Sequence, residues 1–371
     1  MTTSFTPDDC RLADFRAVVE QTTSLSAYPH AVGVEQNVLI YDNPPASARP
    51  ELTSALLDGP GIVVFKNAVE PSVVDRASAA FVAMIEEQKA AGVAGGDHFA
   101  KPGANDRVWG ALDKFAVRDP DGFAAYYSNT ALALISQAWL GDGYQVTSQI
   151  NVVNPGGAAQ VAHRDYHLGF MSREQALRYP AHAHRLSPAL TLQGAIAHVD
   201  MPVETGPTLY LPHSQKYAPG YLAFHVSSFT DYFDQNHVQL PLAKGDAAFF
   251  NPALFHGAGT NRTTGVRRMA NLLQVSSAFG RAMESVDRIA MCRALYPALL
   301  SFEGNVDNVI AASAEGYAFP TNLDRDQPVD GLAPATQAAL LRQALAEKWD
   351  ESRFLAALDS QAARRLPEVT R

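Results

Sequence analysis

The sequence has 371 residues, 47% of them hydrophobic and 18% charged, a composition that can bury a sizeable core. The net charge of −9, without any basic block, argues against nucleic acid as a partner and leaves an anionic ligand to be met by a local basic pocket. Two cysteines, Cys10 and Cys292, exclude a disulfide framework and favour a reducing compartment.

The first residues, MTTSFTPDDCRLADF, show no basic stretch followed by an apolar run, so no secretory leader is expected. No apolar run approaches the ~20 residues that span a bilayer, and the expected setting is cytoplasmic, away from membranes. Residues 1–58 carry no clear period. GIVVF (61–65) reads as a buried strand. Glu70 and Pro71 open a helix on which Val74, Ala77, Phe81, Met84 and Ile85 share one face, and Gly92 ends it. Residues 93–120, rich in Gly, Asp, Lys and Pro, read as a loop, and 121–139 as a second helix.

From about 144 the texture changes. Strands are predicted at 144–153, 160–166, 190–198, 207–211, 246–250 and 267–276, separated by turn clusters at 154–157, 204–207, 244–246 and 257–265. Many short strands with such punctuation predict an antiparallel barrel or jelly roll. After 280 the pattern is helical, through 338–345 and 354–358. The fold class expected is mainly β with flanking helices. It is read as a single domain, with an N-terminal helical and strand region (1–143), a β-core (144–280) and a C-terminal helical extension (281–371).

The segment AHRDYHLGF (162–170) carries the first chemical signal. A kinase catalytic loop would need Asn five residues after Asp165, where Phe170 stands. In a strand, His163 and Asp165 point to one face and Arg164 to the other. They form two corners of a 2-His-1-carboxylate triad, which leaves metal positions open. In a chain with 11 histidines H-x-D alone is a weak signal. FFNPALFHGAGTNRTTGVRRMANLLQVS (249–276) strengthens it. His256 ends an apolar strand, a turn-rich stretch comes next, and Arg267 opens the following strand. A symmetric hairpin there would set His256 and Arg267 opposite each other on one face. An arginine beside a metal-binding histidine suits the far carboxylate of a metal-bound diacid, which guanidinium grips through two parallel hydrogen bonds.

These residues, with ETGPTLYLPHSQ (204–215), KGDAAFFNPALFHGAGTN (244–261) and the arginines at 267 and 268, resemble the phytanoyl-CoA dioxygenase family of Fe(II)- and 2-oxoglutarate-dependent oxygenases. The resemblance covers roughly residues 55–280 and is strongest over 145–276. It implies a double-stranded β-helix core of the cupin-like jelly-roll type. It also implies Fe(II), 2-oxoglutarate and O2 as cofactor and co-substrates, with His163, Asp165 and His256 as iron ligands and Arg267 as the clamp on the 2-oxoglutarate C5-carboxylate. Asn151, in SQINVVNPGG, matches a position that often hydrogen-bonds the co-substrate, and Gln149 points to the same face. The implied reaction hydroxylates an unactivated C–H of a small molecule with release of succinate and CO2. Halogenases of the wider superfamily replace the carboxylate by Gly or Ala, so Asp165 favours hydroxylation.

Thr208 and Tyr210 alternate onto one face of their strand and are candidate cavity residues, as is Gln193, whose buried amide needs partners. Lys101, in GDHFAKPG, reads as a solvated lysine or as a loop cation that reaches an anionic ligand. His167 is expected beside the pocket, His198 and His213 in structural roles, and Trp109, Trp139 and Trp349 in the core. Strand alternation is expected to turn Arg268 away from the site, and Arg262 beside it is given a surface or salt-bridge role. Loops around 93–115 and 168–190 are candidate lid and substrate wall. Two rivals are a cupin-like metal enzyme that uses no 2-oxoglutarate and a non-catalytic barrel. The sequence leaves the substrate's identity open and fits a monomer or a homodimer.

Overall fold

The computed structural model describes residues 3–367 apart from 93–102, 329 and 331, so Lys101 lies outside the described residues. Its strands are β1 (Gly33–Glu35), β2 (Val38–Asp42), β3 (Ile62–Lys66), β4 (Asn105–Val108), β5 (Gln145–Val153), β6 (Thr191–Ala197), β7 (Leu209–Leu211), β8 (Val238–Gln239), β9 (Ala247–Phe250), β10 (Phe255–Gly257) and β11 (Arg268–Ser276). Among the described residues, eight form one sheet in the order β1-β2-β3-β9-β6-β11-β5-β4, and three form a second, β10-β7-β8. Of these strands only β2 and β3 pair in parallel; every other ladder is antiparallel.

The chain is not mainly β: 44% is helical and 17% in strands. Helices account for the difference because they cover the outer face of the large sheet. Helix Pro71–Ala90 buries Val74, Ala77, Phe81, Met84 and Ile85, the face expected from its spacing. Phe81 meets Phe115 of helix Ala111–Arg118 with ring centroids 4.8 Å apart. The C-terminal helices Arg288–Leu299, Gln337–Ala346 and Glu351–Arg365 join the same cluster through Leu295, Leu341 and Phe354.

Three local expectations need correction. Residues 105–118 are not loop but β4 followed by helix Ala111–Arg118. The helix expected over 121–139 is two, Pro120–Tyr127 and Thr130–Leu140, because Asn129 accepts a hydrogen bond from the Leu132 amide and starts a new helix. The strand expected at 160–166 reduces to one antiparallel bridge, His163 to His256.

Alternation along β11 divides its side chains between two environments. Met269, Leu273 and Val275 belong to the helix-covered core, whereas Arg268, Ala270, Leu272 and Gln274 line a cavity of about 620 Å³ on the other side. The second sheet supplies Thr208, Tyr210 and His256 to the facing wall.

Candidate metal centre

His163, Asp165 and His256 come together on the cavity wall, with one ligand atom from each within 4.8 Å of the others. Their backbone is pinned although the segment is no regular strand. His163 and His256 exchange main-chain hydrogen bonds of 3.0 and 3.2 Å, and the Asp165 amide donates to Pro252 O at 3.1 Å. Between the two ligands Arg164 turns away from them, as alternation requires. Its buried guanidinium donates to the carbonyls of Ser214 (2.6 Å) and Tyr217 (3.0 Å) and lies over the rings of Tyr221 and Phe255. Burial pulls this guanidinium down to about 10. Tyr166, next to Asp165, has φ +62° and ψ +143°, a conformation that costs a non-glycine residue about 1–3 kcal/mol. The Gly169 amide donates to its carbonyl at 2.9 Å and helps to hold it there.

The hydrogen bonds fix what the histidines can do. Nδ1 of His163 lies 2.8 Å from Val161 O, and Nδ1 of His256 lies 2.8 Å from Leu254 O. A carbonyl only accepts, so each Nδ1 carries the proton and each Nε2 presents its lone pair. The two Nε2 atoms face the Asp165 carboxylate at 3.6 and 3.3 Å. Lone pairs and negative charge thus converge on one point, an arrangement that a divalent cation relieves. Burial alone would raise the Asp165 carboxyl. When these imidazoles take up a second proton in the metal-free protein, the charge of His163, the hydrogen bond and charge of His256 and the Gln193 amide outweigh burial and hold it well below the usual carboxylate range. Burial, then the charge of His256, lowers His163.

The other residues singled out from sequence divide. Asn151, Gln149, Thr208, Tyr210 and Gln193 all line the cavity. Arg267 does not: its side chain is 47% exposed and pairs with Asp106 at 2.7 Å and Asn154 at 3.1 Å. The residue on the cavity wall is Arg268, 7% exposed, donating to Thr205 O and Gly259 O at 3.4 and 3.3 Å. Burial brings its guanidinium down to about 10, with Tyr210 acting the other way. The hairpin that would have set Arg267 opposite His256 does not exist. β10 pairs with β7, β11 pairs with β5 and β6, and the two lie in different sheets.

His167 bonds Thr191 outside the cavity wall, at 3.3 Å. His198 and His213 are buried, in hydrogen-bonded structural positions. Trp109, expected in the core, lines the cavity, and the Arg107 guanidinium lies 4.5 Å from its ring centroid. Arg107 also donates to Gln149 Oε1 at 3.3 Å. Neither was expected in the site, since β4 was read as loop. Alternation from Asn151, whose register partner is Arg107, is the signal that would have found Arg107.

Two imidazoles and a carboxylate, partly buried, with lone pairs converging and a cavity on the open side, make a candidate metal centre of the 2-His-1-carboxylate kind. A model of the phytanoyl-CoA dioxygenase (PhyH) family matches residues 57–269, and the chain belongs to that family. It is accordingly an enzyme of the non-haem iron, 2-oxoglutarate-dependent oxygenases, and its cofactors are Fe(II) and 2-oxoglutarate, with O2. Among curated proteins it is similar to dioxygenase trt7 of Aspergillus terreus (strain NIH 2624 / FGSC A1156). The two are 26% identical over 222 residues, 59% of this chain and 71% of the relative. Solved structures with some likeness include the α-ketoglutarate-dependent epimerase SnoN from nogalamycin biosynthesis, with 18% identity, TM-score 0.42, and 63% of this chain and 84% of that one covered. Another is AviO1 from Streptomyces viridochromogenes Tue57, with 17% identity, TM-score 0.46, and 64% of this chain and 97% of that one covered.

Proposed function

We propose that this protein hydroxylates an unactivated C–H of a small, largely apolar molecule, on a double-stranded β-helix core formed by the two sheets. The observation that carries this reading is the convergence of two lone-pair Nε2 atoms and the Asp165 carboxylate at the edge of a closed-in cavity. His163, Asp165 and His256 would hold the iron. When bound, iron and 2-oxoglutarate with O2 supply an oxidant able to take hydrogen from a C–H, with succinate and CO2 released.

The chain's own residues do the rest. Arg268 sits on the cavity wall as a buried cation with room for a carboxylate partner, so it takes the clamp role on the C5-carboxylate. The buried Asn151 Oδ1 makes no hydrogen bond within the protein; a rotated amide would turn its N–H2 to the co-substrate. The Gln193 amide donates to Asp165 Oδ2 and so holds one carboxylate oxygen, which leaves the other to the metal. Phe224, Leu240, Leu242, Phe250 and Met283 give the remaining wall an apolar character that excludes water from the reacting carbon. Asp165 at the carboxylate corner supports hydroxylation rather than halogenation. We also infer that the N-terminal, strand and C-terminal regions make up one domain, since all three contribute to a single hydrophobic cluster.

The test is anaerobic addition of Fe(II) and then 2-oxoglutarate to metal-free protein, watching for the visible iron-to-ketoacid charge-transfer band. The band is expected in the wild type, absent in His163→Ala and weakened in Arg268→Leu. Folded, iron-loaded protein that shows no band would overturn the reading.

A further inference from the structure

The cavity face of the large sheet carries a polar pair that iron and 2-oxoglutarate do not account for. Gln193 of β6 and Gln274 of β11 are direct cross-strand partners. Both line the cavity and both are nearly buried, at 7% and 9% exposure. Gln193 Nε2 donates to Asp165 Oδ2. A carboxylate only accepts, so this bond fixes which end of the amide is nitrogen and leaves Oε1 as the open end. Gln193 Oε1 and Gln274 Oε1 are buried, and neither has a hydrogen-bond partner in the protein. Buried amide oxygens are almost always paired. Two that are adjacent and orphaned, in one cavity, point to a ligand that supplies the donor. Around them the wall is apolar, formed by Val64, Ala195, Ala248, Phe250 and Leu272.

We propose that this pair reads the prime substrate, and that the substrate is a mostly apolar small molecule bearing a neutral hydrogen-bond donor, a hydroxyl or an amide N–H. The donor gives its hydrogen to Gln193 Oε1, and the untethered Gln274 amide turns to make the second bond to the same group. A carboxylate or phosphate here would face oxygen lone pairs, so an acidic group on the substrate is kept out of this corner. Gln193 touches a metal ligand at one end and the substrate at the other, so the oxidised C–H lies within a few bonds of the recognised donor. This rests on the oxygenase reading for which carbon reacts, but the recognition itself needs no turnover.

The test uses full-length protein, loaded anaerobically with Fe(II) and 2-oxoglutarate and titrated by calorimetry. The probes are a matched set of polycyclic alcohols, their methyl ethers and the parent hydrocarbons. The alcohols are expected to bind about tenfold or more tightly than the ethers, the value of one neutral hydrogen bond that the ether cannot donate. In Gln274→Leu, with its fold checked by circular dichroism, alcohol affinity should fall to the level of the ether. Gln274→Met serves if the leucine variant does not fold. Equal binding of alcohol and ether overturns the proposal, as does an undiminished preference in the variant or the failure of every alcohol to bind. A missing charge-transfer band in the wild type would instead overturn the oxygenase reading, whatever the alcohols do.

Discussion

The two faces of β11 and its neighbours make an instructive contrast, because both carry polar groups. On the helix-covered face Asn271 is fully buried and fully engaged: it accepts from Ser148 Oγ at 2.6 Å and donates to Tyr126 and Tyr127 hydroxyls at 3.3 Å. His198 on that side is equally settled, between Ser78 Oγ at 2.8 Å and Tyr126 Oη at 2.9 Å. On the cavity face Asn151, Gln193 and Gln274 each bury an oxygen with no hydrogen-bond partner, and so does Tyr166 with its hydroxyl. Burial alone does not distinguish a structural polar group from a functional one. Between these two faces the difference is whether the protein has completed its hydrogen bonds.

The largest effect that would test this contrast comes from the proposed metal ligands. Asp165→Ala should abolish both the charge-transfer band and 2-oxoglutarate turnover measured as succinate release. It also removes the acceptor of the Gln193 amide and a carboxylate whose charge the site favours, so the thermal midpoint of metal-free protein should fall.

The arginine pair comes next. Arg268→Leu should raise the KM for 2-oxoglutarate about thirtyfold or more, in line with the cost of about 2 kcal/mol or more for truncating one member of a buried charge pair. Arg267→Leu, which removes an ion pair with Asp106 and a hydrogen bond to Asn154, both outside the cavity wall, should leave that KM within about twofold. Equal effects would place the clamp elsewhere.

Stability separates the two faces most directly. Asn271→Leu leaves the Ser148, Tyr126 and Tyr127 hydroxyls short of a partner and should cost about 1–3 kcal/mol in urea denaturation. Gln274→Leu breaks no such network and should stay within about 0.5 kcal/mol of wild type. A large loss in Gln274→Leu would make it a structural residue.

The last effect is in pH. Burial lowers His198 to about 3, well below its unfolded value near 6.5. Between those values the unfolded chain binds a proton that the native protein does not. The stability this histidine contributes is therefore complete above about pH 6.5 and falls as pH drops towards 3, by up to about 1.4 kcal/mol per unit. Denaturation midpoints measured at pH 7 and pH 5 should show the loss, and His198→Gln should reduce it.

What was legible in the sequence was the part with a clear period or a clear chemistry. The helical face from Val74 to Ile85 appears in the structure as read, and so do β5, β6, β9 and β11 to within a residue or two. His163, Asp165 and His256 announced themselves by residue type, and the structure brings them together. β4 was hidden because its sequence, NDRV, is mostly polar: Arg107 faces the cavity and Asp106 pairs with Arg267, so no apolar alternation marks it as a strand. Arg267 was expected at the cavity and Arg268 stands there instead, for a topological reason. Residues close in sequence were assumed to be partners, yet the chain crosses between sheets after His256, and the true neighbours of β11 lie 73 to 131 residues upstream, from Ala270↔Ala197 to Ser276↔Gln145. The predominance of helix was missed because Leu12–Val19 and Arg49–Leu57, in the stretch without a clear period, bury only two and three side chains, and Ala111–Arg118 and Ala181–Ala189 fall in stretches read as loop.

The seating of Arg164 gives the centre a point of leverage outside the cavity. The side chain between the two ligands is locked against the loop and helix that start at Ser214, and a Cβ at Gly220 would overlap its guanidinium. One methyl group there, on the far side of the wall from any ligand or substrate, would push on the residue that spaces His163 from Asp165. The spacing of His163 and Asp165 is thus set partly by a helix outside the cavity wall.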